Sequence, residues 1–447
     1  MLGLTYNFIW VNTDKFYILF PYKLSNSILA QSEVSLMKRQ ERVQKGNSLV
    51  FTSILTFLLF IILAGCGGGA RSLYAPATYM PYQAMQPMQS LIKSFALNND
   101  PIVDSDAFSV AMEENAFAAY SKPVTPTAGQ IKTTSQDGFQ TLYIQPEAGA
   151  YPILKAIEDA KKTIDIQVYM LTMNDIIQAL VKAAQRKVTV RIILEKEPFN
   201  PGNPSNPIPI NLVTYKKFKE AGVINNGVWI RWSNKAFFTY THQKTMIIDN
   251  KLGFIMCMNL SGTAVTQNRE YLIADTHPDI LAEMKKVFEL DWAQQVYQAP
   301  AQTPLVISPV NSRTQLENLL SSAKKTLYIG VEVMGDPGTE AIVVQKFKAG
   351  VDISLMLGHY KKIAYNLEVA KRMQDIGMKN IKFLGKPFLH GKLIIADNTA
   401  YLGSVNLTTN SMDKNREMGI LLTDKNIVNA LKKSFKTDFA NNCDPMP

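Results

Sequence analysis

The carboxyl-terminal part of the chain contains the same sequence pattern twice, and this duplication restricts the possible folds more than any other feature. Residues 151–171 align with residues 314–334, and each segment predicts an amphipathic helix, an Ala-Lys-Lys-Thr corner and an alternating strand. Residues 242–275 align in the same way with residues 390–424. Two related halves that alternate helix with strand predict an α/β protein of two tandem domains, related by a pseudo-twofold axis.

The duplication divides the chain into predicted regions. The first domain is expected over residues 136–298 and the second over residues 304–440, and 447 residues with 47% hydrophobic content have room for both cores. Residues 66–135, rich in Met, Tyr, Pro, Ala and Ser, predict an extended tether. The Pro- and Asn-rich residues 198–211 predict a long loop of the first domain that shapes the entrance to a site.

Residues 1–65 have the layout of a leader. An uncharged apolar run at residues 49–64 is shorter than the roughly 20 residues that a membrane-spanning helix needs. Basic residues precede the run, and it ends in Leu-Ala-Gly before Cys66, an order that is typical of a secretory signal. Because Met37 stands directly before the basic stretch, residues 1–36 are predicted to reflect an upstream start, which mass spectrometry of the amino-terminal peptide tests.

The sequence around Cys66 resembles the lipobox of bacterial lipoproteins. The resemblance implies cleavage before Cys66, lipid attachment to its sulfur, and a membrane-anchored body outside the cytoplasm, in the periplasm or on the cell surface. Gly67, where an aspartate is absent, favours the outer membrane. An uncleaved membrane anchor is the alternative, and it also places the body outside the cytoplasm.

Each half contains the motif HxKxxxxD, followed by an asparagine and then by Asn-Arg-Glu. Positions two apart on a strand face the same side, so the His and Lys of each copy can point at one site. The chain has only four histidines, and two of them lie in these copies, so the pattern is a specific signal. The candidate catalytic residues are His242, Lys244, Asn259 and Glu270 in the first half and His390, Lys392, Asn406 and Glu417 in the second.

These residue types suit an attack on a phosphodiester. Negative charge grows on the phosphate oxygens during the attack, and lysines with asparagine amides can stabilise it. A neutral imidazole can attack phosphorus, and a protonated imidazole can donate to the departing oxygen. A glutamate that accepts from the inner ring nitrogen would orient each imidazole. These steps need no metal and no other cofactor, and three cysteines are too few for a four-cysteine metal site.

The two motifs resemble those of the phospholipase D superfamily, over roughly residues 138–440. The resemblance implies two αβα-layered domains, one active site at their interface and a covalent phosphohistidine intermediate. It also implies His242 as the nucleophile and His390 as the general acid and later base, although the pseudo-symmetry leaves the reverse assignment open. Asp249 and Asp397 are expected to order the strand ends rather than to contact the substrate.

The two halves differ just before the motif asparagine. The family has a Gly-Ser or Gly-Gly turn there, which the second half keeps as Gly403-Ser404, and Ser404 is expected to support the site. The first half has Met256-Cys257, where a thiol replaces a hydroxyl that would help to bind phosphate. Cys257 is expected to be a buried strand residue, with a disulfide to Cys443 as the alternative.

Three classes of function remain open. The favoured prediction is a phospholipase D-like phosphodiesterase, a phosphoric diester hydrolase that acts as a monomer on phospholipids at a membrane surface. A phosphatidyltransferase of the cardiolipin synthase type differs only in whether water or an alcohol accepts the phosphatidyl group. The second class is a nuclease of the same superfamily, which would act on nucleic acid; without residues 1–65 the net charge falls from +10 to +7, a modest excess for that partner. The third class is a lipid-binding lipoprotein without activity, which the complete motifs disfavour.

Overall fold

The computed structural model describes residues 7–13, 16–22, 132–198 and 210–447. The predicted signal peptide, Cys66 and most of the predicted tether lie outside these residues, as does most of the Pro- and Asn-rich loop. None of the helices in the described segments is long and apolar enough to cross a membrane.

The chain divides into two compact units, residues 1–102 and residues 103–447. In the first unit, strands β1 (Asn7–Thr13) and β2 (Phe16–Tyr22) form an antiparallel pair. Both halves of the sequence repeat lie in the second unit.

Each half of the repeat forms one large sheet with helices packed against it. The helices of the first half are α1 (Tyr151–Asp159), α2 (Asn174–Gln185), α3 (Ile210–Glu220), α4 (Gly262–Thr266) and α5 (Pro278–Trp292). Its strands are β3 (Lys132–Thr134), β4 (Gln140–Gln145), β5 (Thr163–Val168), β6 (Thr189–Leu194), β7 (Val228–Trp232), β8 (Lys244–Ile248), β9 (Leu252–Met256) and β10 (Asn268–Asp275).

The second half repeats this series of elements. Its helices are α6 (Ser312–Ser322), α7 (Pro337–Lys348), α8 (Tyr365–Asp375), α9 (Thr409–Asp413) and α10 (Lys425–Asn441). Its strands are β11 (Leu305–Ser308), β12 (Thr326–Val331), β13 (Asp352–Gly358), β14 (Ile381–Leu384), β15 (Phe388–Leu389), β16 (Lys392–Ala396), β17 (Thr399–Gly403), β18 (Glu417–Leu422) and β19 (Cys443–Pro445).

The two sheets have the same strand order. The first runs β3-β4-β10-β9-β8-β5-β6-β7 and the second β11-β18-β17-β16-β12-β13-β14-β19, so the stretch from β4 to β7 matches the stretch from β11 to β14. In both sheets the three strands that follow helices, β5-β6-β7 and β12-β13-β14, are parallel, and the remaining pairs along each order are antiparallel. This equivalence confirms the predicted α/β fold of two tandem domains.

A shared apolar core joins the two halves. Each half buries one face of its sheet under its own helices, as Ile166 shows in the first half and Ile329 in the second. Alternate strand residues point the other way and form a common cluster, in which Ile255 of the first half packs with Leu393 and Met418 of the second. Burial of a side chain of this size stabilises by roughly 1.5–3 kcal/mol, so the common cluster holds the halves in one arrangement.

Both sheets extend beyond the predicted domain boundaries. Lys132–Thr134 form β3 and pair with β4, so the first sheet begins before the predicted boundary at residue 136 and includes the end of the predicted tether. Cys443–Pro445 form β19 and pair with β14, beyond the predicted boundary at residue 440. Both strands cover a sheet edge, β3 through a hairpin with the next strand and β19 through pairing with β14, which is distant in sequence.

His277 connects the amino-terminal end of α5 to the start of the first sheet. Nδ1 of His277 lies 2.8 Å from Oδ1 of Asp275, and Nε2 lies 3.2 Å from Oδ2 of Asp137. Partial burial opposes the charged ring, but these two carboxylates raise the pKa of His277 above its ordinary value. The protonated ring therefore stabilises this junction.

Replacement of His277 by glutamine is expected to lower the free energy of unfolding at acidic pH but not at alkaline pH. A raised folded-state pKa stabilises fully below the ordinary value of 6.5, and the stabilisation is lost as the pH rises through the folded-state pKa. The ring is 30% exposed, so solvent screening limits the loss to about 1 kcal/mol. Urea unfolding at about pH 5.5 and about pH 9 measures it. Equal losses at both pH values would contradict the prediction.

Candidate active site

Each motif histidine lies just before one of two equivalent strands and is held by the opposite half of the chain. The backbone N–H of His242, before β8, donates to the carbonyl of Arg416 over 2.8 Å. The backbone N–H of His390, before β16, donates to the carbonyl of Arg269 over 3.3 Å. Backbone hydrogen bonds thus place each histidine beside the Asn-Arg-Glu segment of the other half.

Each histidine also pairs with the glutamate of the opposite half. Nδ1 of His242 lies 2.7 Å from Oε2 of Glu417, and Nδ1 of His390 lies 2.7 Å from Oε1 of Glu270. Both carboxylates are fully buried. The contact at His242 is a hydrogen bond, whereas Nδ1 of His390 lies at ion-pair distance from its carboxylate without hydrogen-bond geometry. In both rings the carboxylate attracts the proton to Nδ1, so Nε2 is the atom that can face a substrate.

Polar neighbours hold both glutamates in place. Nδ2 of Asn415 and Oγ of Ser411 donate to Oε1 of Glu417 over 3.1 and 2.7 Å. Nδ2 of Asn268 donates to Oε1 of Glu270 over 3.2 Å. The asparagine of each Asn-Arg-Glu segment therefore orients the glutamate two positions later.

The two motif lysines are fully buried and contact their own histidines. Nζ of Lys244 donates to the carbonyl of His242, and Nζ of Lys392 donates to the carbonyl of His390, both over 2.6 Å. Because both lysines begin strands that cross the shared core, their positions are set by the sheets rather than by flexible loops. The equivalent contacts in the two halves place one ammonium group beside each imidazole.

The charges of the two halves act on one another within a single centre. Burial lowers the pKa of His242 to about 4, helped by Lys244 and Lys392 and opposed by Glu417. Burial and Lys392 lower the pKa of Lys244 to about 7, again against Glu417. Burial alone would raise the pKa of Glu417, but His242 and Lys244 lower it. At neutral pH the imidazole of His242 is therefore unprotonated at Nε2 and able to attack.

The motif asparagines follow equivalent strands. Oδ1 of Asn406 accepts from the N–H of Val333 over 3.2 Å, and its Nδ2 lies 3.4 Å from Oε2 of Glu332. The equivalent Asn259 is 5% exposed, and its buried Oδ1 has no hydrogen-bond partner within the described part of the chain. A buried amide oxygen that lacks a partner can accept a hydrogen bond from a bound substrate hydroxyl.

Asp249 and Asp397, the last residues of the two motifs, lie at corners away from this centre. Both have a left-handed backbone, with φ of 51° and 48°. The carboxylate of Asp249 accepts from the backbone N–H groups of residues 161–163 over 2.6–2.8 Å. That of Asp397 accepts from residues 324–326 over 2.7–3.0 Å. Both aspartates therefore tie an Ala-Lys-Lys-Thr corner to the end of a strand.

Cys257 and Ser404 occupy equivalent positions and both contact backbone groups. The N–H of Lys392 donates to Sγ of Cys257 over 3.4 Å, and burial raises the pKa of this thiol to about 11. Oγ of Ser404 accepts from the N–H of Met418 over 3.1 Å and lies 3.3 Å from its carbonyl oxygen. The thiol therefore packs against the start of β16. Cys257 and Cys443 are free, so the alternative of a disulfide between them is wrong.

Two arginines outside the predicted set connect the halves through buried ion pairs. Nη2 of Arg416 in the second half donates to Oδ1 of Asp291 in the first half over 2.8 Å. Nε of Arg269 in the first half donates to Oδ2 of Asp438 in the second half over 2.7 Å. The sequence feature that could have indicated these residues is the arginine shared by both copies of Asn-Arg-Glu.

Glu332 is a further charged residue of the centre that lies outside the predicted set. Its Oε2 is 2.7 Å from Nζ of Lys392, 3.6 Å from Nε2 of His390 and 3.4 Å from Nδ2 of Asn406. Burial alone would raise the pKa of Glu332, but His390 and Lys392 lower it, so the carboxylate stays ionised. Burial opposes the charge on Lys392, but Glu332 raises its pKa. The sequence feature that could have indicated Glu332 is its alignment with Tyr169, which places a charged residue in one half opposite an aromatic residue in the other.

The remaining two histidines lie outside this centre. His277 belongs to the junction described above, and Nε2 of His359 lies 2.9 Å from Oδ2 of Asp444 in β19. Within residues 132–198 and 210–447, no group of three or more His, Cys, Asp or Glu side chains is placed to hold a metal ion. The centre thus offers two imidazoles whose Nδ1 atoms face carboxylates, two buried lysines and side-chain amides, which suit attack on a phosphodiester.

Sequence comparisons agree with this chemistry. The model of the family described as "Cardiolipin synthase, PLD-like domain" matches residues 153–292 and 316–439, more than half of the chain. Cardiolipin synthase 1 from Bacillus cereus is 23% identical over 332 residues, which cover 64% of this chain and 64% of that protein. Cardiolipin synthase 1 from Staphylococcus aureus is 22% identical over 326 residues, with the same coverage. The chain thus spans less than two thirds of these relatives' length.

Solved structures share the fold. A phosphatidylserine synthase from Haemophilus influenzae superposes with a TM-score of 0.54 at 12% identity, over 75% of this chain and 92% of that one. A polyphosphate kinase from Porphyromonas gingivalis superposes with a TM-score of 0.51 at 15% identity, over 72% of this chain and 56% of that one. With the duplicated motifs and the match to both halves, the chain belongs to the phospholipase D superfamily, in the family described as cardiolipin synthase, PLD-like domain.

Proposed function

We propose that this protein transfers a phosphatidyl group from one phospholipid to an alcohol, as a phosphatidyltransferase of the cardiolipin synthase type. The observation that carries the proposal is the reciprocal pairing of each motif histidine with the glutamate of the opposite half. The family description and the names of the curated relatives support an alcohol rather than water as the acceptor. Head-group hydrolysis, favoured from the sequence, is the second candidate, because water could take the place of the alcohol at the same site.

The first step uses both histidines. Nε2 of His242 attacks phosphorus and forms a P–N bond while the P–O bond to the departing alcohol breaks. The electron pair of that bond stays on the alcohol oxygen, which takes the proton from Nε2 of His390. Lys244 and Lys392 stabilise the charge on the remaining phosphate oxygens, and a buried ammonium group does so more strongly than one in water.

The second step reverses the first with a new alcohol. The hydroxyl of the acceptor gives its proton to Nε2 of His390, and its oxygen attacks phosphorus. The P–N bond breaks and its electron pair returns to His242, so the enzyme regains its starting state. Glu417 and Glu270 keep the Nδ1 protons in place throughout, so each ring reacts through one nitrogen.

Attachment to a membrane is part of the proposal. Cys66 lies outside the described residues, and a lipid on its sulfur would keep the body beside a bilayer outside the cytoplasm. A phospholipid substrate would then be present at a high local concentration. Mass spectrometry of the mature amino terminus tests the attachment, and an unmodified Cys66 within a longer peptide would contradict it.

A product assay tests the proposed function. The full chain is mixed with phosphatidylglycerol vesicles and, in parallel, with a plasmid, and products are identified by mass spectrometry and gel electrophoresis. We expect cardiolipin and free glycerol, absent in a His242→Ala variant and retained in His359→Gln, whose histidine pairs with Asp444 outside the centre. Phosphatidic acid without cardiolipin would indicate hydrolysis, and plasmid nicking alone would indicate a nuclease. No product in any arm would contradict enzymatic function.

A further inference from the structure

The two halves of the active site differ at one charged position. Tyr169 and Glu332 are equivalent in the sequence repeat. The ring of Tyr169 lies 4.9 Å from the ring of His242, edge to face at 71°. Oε2 of Glu332 lies 3.6 Å from Nε2 of His390. The reactive nitrogen of His390 thus faces a negative charge, whereas the aromatic partner of His242 is neutral.

The backbone holds Glu332 at this position. Its N–H donates to the carbonyl of Gly391 over 3.1 Å, and its carbonyl accepts from Nδ2 of Asn366 over 2.7 Å. Gly358 packs directly against it, since a Cβ at Gly358 would lie 2.6 Å from the carbonyl oxygen of Glu332. The side chain of Glu332 is only 19% exposed. The backbone of Glu332 is therefore held beside the centre, and Nζ of Lys392 holds its carboxylate.

Several charged groups of the described chain surround His390. Glu270 from β10 faces Nδ1, and Glu332 after β12 faces Nε2. Lys392 from β16 contacts Glu332 directly, so each charge offsets the other in part. On the opposite side of the centre, His242 and Lys244 both interact electrostatically with Glu332. Glu417, the remaining carboxylate of the centre, pairs with the other histidine.

We propose that Glu332 is a positioning residue for His390, whose Nε2 faces its carboxylate and serves as the acid of the first step. The inference rests on the proposed function. A carboxylate a few ångströms from a ring nitrogen stabilises the protonated imidazole. His390 is then the acid that protonates the departing alcohol, and His242, beside a neutral ring, is the nucleophile. Without this carboxylate each histidine would keep one glutamate and one lysine as its nearest charged neighbours.

The pH dependence of kcat/KM tests this role. In the full chain with Glu332→Gln, we expect the high-pH limb to move to lower pH by about one unit, because the acid loses its proton more easily without the neighbouring charge. Above the limb this lowers the rate about tenfold with phosphatidylglycerol. Glu332→Asp keeps the charge and should restore most of the limb. Glu340→Gln, which alters an exposed ion pair with Arg372, is the matched control.

A second substrate separates this role from a structural one. Phosphatidyl-p-nitrophenol has a leaving group that departs without a proton, so the burst of p-nitrophenolate should be unaffected by Glu332→Gln. An unchanged limb with phosphatidylglycerol, or equal losses with both substrates, would overturn the proposal. Absence of both transfer and hydrolysis in the unaltered chain would instead overturn the proposed function, together with the inference that depends on it.

Discussion

In a His390→Ala variant, release of glycerol from phosphatidylglycerol is expected to fall by about 10³- to 10⁴-fold, whereas the first burst of p-nitrophenolate from phosphatidyl-p-nitrophenol stays within about tenfold of the wild-type rate. An alkoxide needs a proton as it departs, and p-nitrophenolate does not. Glu270 occupies Nδ1 of His390, so Nε2 is the nitrogen that supplies this proton. Turnover beyond the burst should stop, because the acceptor alcohol also needs His390 as its base.

A His242→Ala variant is expected to lose both activities by at least about 10⁴-fold, because it lacks the nucleophile for either substrate. Stopped-flow absorbance measures the burst, and mass spectrometry of the denatured enzyme should find the phosphatidyl group on the peptide that contains His242. His359→Gln is the control with a histidine outside the centre. A burst that survives in His242→Ala and disappears in His390→Ala would reverse the two roles.

The Arg416→Met variant is expected to lose about 3–5 kcal/mol in free energy of unfolding. The side chains of Arg416 and Asp291 are 2% and 3% exposed, and their pair connects the two halves. Burial raises the pKa of Asp291 and Arg416 opposes this shift, so the variant would leave a buried carboxylate without its cation. The backbone carbonyl of Arg416 accepts from the N–H of His242. A shift of this segment in the variant would displace His242, so the activity should decline with the stability.

Urea unfolding measures this loss against a matched surface variant. Arg372→Met removes an ion pair with Glu340 in which Arg372 is 45% exposed, and it should cost no more than about 1 kcal/mol. Adding Asp291→Leu to Arg416→Met should recover part of the stability, because both buried charges are then gone. If Arg416→Met costs no more than Arg372→Met, the interface pair does not contribute as proposed.

Local patterns predicted the elements that build the site. The alignment of residues 151–171 with residues 314–334 predicts helix, corner and strand, and both copies form them as α1 with β5 and α6 with β12. The corner turns back next to Asp249 or Asp397, whose carboxylates bind its N–H groups. Each of these contacts joins two segments of the same half. Because the repeat contains both segments in each half, the same contact forms twice.

Contacts between the halves were harder to predict. The sequence shows a histidine and a glutamate in each half. Their spacing does not distinguish a pair within one half from a pair across the halves. The structure pairs His242 with Glu417 and His390 with Glu270. Cys257 gives a second example, since it contacts the backbone of Lys392 in the other half. Such pairings depend on how two surfaces dock.

By itself the sequence determined two α/β halves and the residue types of a phosphodiester site, because strand and helix periodicity and motif spacing are local properties of the chain. Only the tertiary structure decided which glutamate serves which histidine, that Arg416 and Arg269 join the halves, and that Glu332 stands beside one imidazole and not the other. The reason is physical: these contacts follow from the burial of the shared core between the sheets, and its docking geometry is set by packing over distances that no local pattern records.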